Sequence, residues 1–186
     1  SKLVISKLQS DIDRLNYLLS TSKRRRRSSK QRRQLEHANI IYRTIDKTKK
    51  LYSYDITTEE EEVVELDDFV EKDFKYSSVC VMPNGDAFIA GGKHKLSNLC
   101  YIYRREFKDC VKVPGLLHAR GSISLYYHDN CIYAFGGSTG LNNPSKQAEK
   151  FELSTGVWVE LAEMLECRDN FNCIGYEERI YLISGC

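Results

Sequence analysis

In residues 119–165, apolar and polar positions fall into short runs rather than the three-and-four spacing of a helix. Residues 121–127 and 131–135 are two apolar runs joined by His128-Asp129-Asn130, the pattern of a hairpin. A third run, residues 149–153, turns at Ser154-Thr155-Gly156 into a fourth, residues 157–161, which carries Trp158. This predicts four short antiparallel strands. Residues 74–113 predict four more, with Pro83-Asn84-Gly85 at the first connection, where Asn-Gly is expected to supply the positive φ values of a tight turn. Residues 52–66 predict the last two strands of a preceding unit, and residues 168–186 the first two of a following one.

The units repeat. Gly91, Gly136 and Gly185 lie 45 and 49 residues apart, and Tyr54, Tyr103 and Phe151 lie 49 and 48 apart. Ten residues after each aromatic comes an aliphatic side chain, at Val64, Val113 and Leu161. Arg120 and Arg168 keep a spacing of 48 ahead of the glycines. Four antiparallel strands recurring at this period make a propeller blade. The glycine pairs follow the second strand, where a residue without Cβ permits a left-handed turn and close backbone approach.

A strand ending in Gly-Gly, an aromatic about a dozen residues on and a Trp seven residues later resemble the kelch motif. Gly136-Gly137, Phe151 and Trp158 fit it best. Gly91-Gly92 leads instead to Cys110 where Trp would stand, the unit before has Glu61 there, and the last has Ser184-Gly185-Cys186 in place of Gly-Gly. The resemblance covers residues from about 50 onward. It implies an all-β fold, a partial kelch-type β-propeller of four-stranded antiparallel blades occupying residues 39–186, with an N-terminal helix ahead of it. About three blade-equivalents fall short of the four to eight of closed propellers. The other blades are therefore expected outside these residues, unless the reading frame is broken.

The first 38 residues follow other rules. Ile5, Leu8, Ile12, Leu15 and Leu19 form a heptad seam, which predicts an amphipathic helix over residues 1–22. It reads equally as a coiled-coil end able to form a homo-oligomer and as a helix packed on something upstream. Residues 23–38 read as a basic linker, and the run from Lys23 to Arg33 has eight basic residues in eleven. A solvated linker, a nuclear-import signal, and contact with nucleic acid or an anionic membrane are its readings. The net charge of +2 hides the contrast. Residues 59–73 hold nine acidic side chains and one Lys, able to neutralise the basic run in cis.

Seven cysteines without a C-x-x-C pair or a zinc spacing point to reduced thiols packed as small hydrophobes. A reducing compartment follows, cytoplasmic or nuclear. Neither metal nor cofactor is expected. Some kelch-like propellers carry copper oxidase sites, but His37, His94, His118 and His128 sit in no catalytic spacing, and no enzyme is expected. Loops leading into the first strand of each blade project at one face. They contain His118, Arg120, Arg168 and Asn170, expected to contact a protein partner, although the arginines read equally as braces between loops. The resemblance implies an adaptor or scaffold, as a ubiquitin-ligase substrate receptor or a cytoskeletal adaptor. A factor bound to nucleic acid or membrane through residues 23–33 is the alternative.

Overall fold

A computed structural model describes residues 39–67, 70, 74–92, 97–140, 143–177 and 179–185. All belong to the second of two compact units, Glu36–Cys186. The expected helix of residues 1–22, with its coiled-coil reading, and the basic linker lie outside the described residues.

The described chain is all-β. Strands β1 (Ile40–Thr44), β2 (Lys50–Asp55) and β3 (Glu60–Glu65) form a three-stranded sheet. Two four-stranded sheets follow: β4 (Ser78–Val81), β5 (Ala87–Ala90), β6 (Cys100–Arg104) and β7 (Asp109–Val113), then β8 (Ser124–His128), β9 (Cys131–Phe135), β10 (Ala148–Glu152) and β11 (Val157–Glu160). A two-stranded sheet of β12 (Asn172–Tyr176) and β13 (Arg179–Ile183) closes the series. Each sheet is an antiparallel meander in chain order, and the first strands lie side by side, β4 against β8 and β8 against β12.

The pairing registers carry the repeat. Tyr54 faces Glu61, Tyr103 faces Cys110 and Phe151 faces Trp158 across the last two strands of successive sheets. These are the positions matched by period. Two details differ from expectation. The first sheet has three strands rather than two: β1 pairs antiparallel with β2, and it runs into Ile45-Asp46 without the Gly-Gly that marks its counterparts. Residue by residue, Ile183 pairs with Asn172 as Phe135 pairs with Ser124, so Ser184 stands at the place of Gly136 and Gly185 at that of Gly137. Ser184 adopts the left-handed backbone there, at φ 68°.

Turn chemistry sets the hairpins. Asp129 and Asn130 both have positive φ, 45° and 61°, as a two-residue turn between right-twisted strands requires. At Pro83-Asn84-Gly85 only Gly85 is left-handed. That connection is longer, closed by Met82 N–H donating to Asp86 O at 2.8 Å, while Asn84 Oδ1 accepts from Asp86 N–H.

The core lies between sheets. Strand β5 is buried on both faces, so its alternate residues serve two clusters: Ala87 and Ile89 pack with Tyr42, Leu51 and Tyr103, whereas Phe88 and Ala90 pack with Ile132, Phe151 and Trp158. Period-two alternation thus bonds the β4–β7 sheet to both neighbours. Phe88, Phe151 and Trp158 form a triangle with ring centroids 5.2–6.1 Å apart, each pair adding about 0.5–1.5 kcal/mol beyond area burial.

Candidate functional site: the loop face between blades

Residues 114–123 join β7 to β8, and residues 161–171 join β11 to β12. The same backbone hydrogen bonds hold both. Leu116 N–H donates to Asn98 O at 2.9 Å, and Met164 N–H to Lys146 O at 2.8 Å. Arg120 N–H donates to Ser97 O, and Arg168 N–H to Ser145 O. The arginine carbonyls then accept from the glycine turns: Gly92 N–H reaches Arg120 O at 3.1 Å, and Gly137 N–H reaches Arg168 O at 2.8 Å.

Glycine is needed at these turns for two reasons. Gly91 and Gly136 are left-handed, at φ 76° and 53°. A Cβ on Gly91 would stand 2.5 Å from Arg120 O, and one on Gly136 would strike Arg168 O. Each glycine pair is the socket into which the next blade's loop docks its carbonyl.

A second repeat lies two residues ahead of β4, β8 and β12. Tyr76, Ser122 and Asn170 are left-handed at φ 59°, 53° and 50°. Ser122 N–H donates to Tyr76 O at 2.9 Å, and Asn170 N–H donates to Ser122 O at 3.3 Å. One backbone link per blade thus joins the approaches to the first strands.

The expected contact residues separate within this frame. Arg120 is wholly buried, 0% exposed, against Glu149 at 1%. Its Nη1 lies 2.8 Å from Glu149 Oε1 and 3.2 Å from Gln147 Oε1, and Nη2 donates to Ala134 O. Glu149 Oε2 accepts from Leu117 N–H at 2.8 Å. Burial pulls the guanidinium pKa down, and the neighbouring carboxylate opposes it. Arg120 therefore offers no surface to a partner, and its geometry is that of a brace between β9, β10 and the incoming loop. Sequence reasoning missed Glu149. The available signal was its place two residues before Phe151, which puts a charge on the buried face of β10.

Arg168 is half-buried, and its guanidinium donates to Ser184 O and Glu166 Oε2, both at 2.8 Å. Asn170 is exposed and His118 half-exposed, with His118 Nε2 3.4 Å from Glu160 Oε1. His118, Arg168 and Asn170 stay on the loop face. Trp158 Nε1–H donates to Pro114 O at 2.8 Å, so the tryptophan also anchors this loop.

Elsewhere, part of the acidic run is engaged within the propeller, where Lys50 meets Glu65 and Lys108 meets Glu62, and Arg105 meets Asp55 ahead of the run at 3.3 Å. Among the described residues, no three His, Cys, Asp or Glu side chains are placed to hold a metal. His37 and His94 lie outside the described residues. Burial pushes the Cys80 thiol up, and those of Cys100 and Cys110 up to about 12.

Four-stranded meanders at this period, glycine sockets and a tryptophan bound to the preceding loop define a partial kelch-type β-propeller. The kelch motif profile matches residues 120–165. The chain is 28% identical over 114 residues to Kelch repeat and BTB domain-containing protein 2 of Ectromelia virus, covering 59% of this chain and 20% of that protein. It is 27% identical over 131 residues to Kelch-like protein 23 of Mus musculus, covering 65% and 22%. The match thus spans about a fifth of each relative's length.

Proposed function

We propose that this chain is a non-enzymatic protein-interaction module that captures a protein on the loop face. One observation carries the reading. The loops leading into β8 and β12 are fastened by the same backbone bonds, so a rigid scaffold presents exposed side chains that the core does not use. Kelch repeats in both relatives support an adaptor role. Within it, the chain serves as a ubiquitin-ligase substrate receptor or a cytoskeletal adaptor.

The test places a photo-crosslinking residue at Asn170 in the full chain, with a control at Thr155 in the β10–β11 turn. Discrete protein adducts from position 170 and none from 155 are expected. Equal adducts from both would sink the reading. Salt separates it from attachment through residues 23–33. A complex resting on six to ten phosphate contacts loses about 10³–10⁵ in affinity between 50 and 200 mM salt, whereas loop-face capture should lose far less.

A further inference from the structure

We propose that Leu117 and Leu165 are paired apolar anchors for a basic peptide segment of the partner; this rests on the loop-face reading above. A single exposed leucine needs no explanation. These two occupy the same position in successive loops, each one residue after an anchored neighbour. Leu116 is buried, and Met164 turns inward beside Gly136. With those residues nailed by backbone bonds to Asn98 O and Lys146 O, the next side chain in each loop must point outward. Leu117 is 50% exposed and Leu165 95%. Leu117 N–H is held by Glu149 Oε2 of the four-stranded sheet β8–β11. Even beside a full sheet, Leu117 keeps half its surface.

Charge selects the peptide. The loop carrying Leu165 holds Glu163, Glu166 and Asp169 against Arg168, with Lys146 on the segment that anchors Met164, so acids still outnumber bases. Arg168 is already turned onto Glu166 and Ser184 O, so its fork is not offered to an incoming carboxylate. Glu160 stands across from His118 beside the first anchor. Two rigidly spaced apolar side chains with an acidic surround fit a segment carrying aliphatic or aromatic residues flanked by Lys or Arg, by burial and electrostatic complementarity together.

Displayed random peptides selected on the full chain test this, with counter-selection on the double variant Leu117→Ser/Leu165→Ser. Both sites are exposed, so the variant should keep its thermal midpoint. Survivors should be enriched in basic residues around apolar ones and should bind the double variant at least about tenfold more weakly. Acidic survivors would overturn the proposal. Peptides that bind the chain and the variant alike would also overturn it while leaving loop-face capture standing. If no peptide binds at all, the paired-anchor proposal falls, while loop-face capture is decided by the crosslinks from position 170.

Discussion

Arg120 and Glu149 are held apart from water, so removing one strands the other's charge. Arg120→Met should cost about 3–5 kcal/mol in urea unfolding. Adding Glu149→Leu should recover most of that, leaving about 1–3 kcal/mol for the lost acceptor of Leu117 N–H. A single variant as stable as the parent would show that the pair braces nothing. The thiols give a second prediction at this scale. An unfolded cysteine ionises near about pH 8.5, while burial holds Cys100 protonated to about 12. Its folded pKa is raised, so the stabilisation is complete below the unfolded value and is lost as pH rises through the folded one. The urea midpoint should therefore fall above about pH 9, with a shallower slope in Cys100→Ala. Alkylation near neutral pH should modify exposed Cys167 well before Cys80, Cys100 or Cys110.

The elements depend on turns and on one cross-strand pair. Gly136 and Gly156 are both left-handed, but a Cβ at Gly156 would meet nothing within 4 Å, whereas at Gly136 it meets the Arg168 carbonyl and Phe171. Gly156→Ala should cost about 1–2 kcal/mol for backbone conformation alone. Gly136→Ala should cost clearly more, because the socket for the next blade must open. Equal losses would mean that the docked carbonyl contributes nothing. Trp158→Ala should cost about 3–5 kcal/mol. Trp158→Phe, which keeps most of the apolar contact and loses the bond to Pro114 O, should cost roughly 1–3 kcal/mol. An unchanged urea midpoint in the alanine variant would place Trp158 outside the core.

Across the molecule, protection should follow the number of covered faces. Strand β5 is buried throughout, and β9 alternates buried with half-buried positions. In β12–β13, Ile174, Tyr176, Tyr181 and Ile183 are exposed on one face. Amide exchange should therefore be slowest in β5 and β9 and fastest in β12–β13, as expected where few apolar contacts oppose local opening. Uniform protection across the sheets would mean that they open as one unit.

Strand runs, hairpin positions, the period near 48 and the Phe151–Trp158 pair were all readable in the chain, because alternation and turn residues act between near neighbours. Longer-range facts were not. β1 escaped notice because its sheet lacks the Gly-Gly marker, and Gly185 was matched one position off, because Ser184 holds the place of the first glycine and a count of glycines passes over it. Arg120 and Arg168 look alike in sequence and share a backbone role. Their side chains part only because β10 sets Glu149 beside Arg120, while Arg168 meets Glu166 and Ser184 O at the surface. Which arginine is a brace and which faces solvent depends on neighbours distant along the chain, and burial by those neighbours is settled by packing of whole sheets.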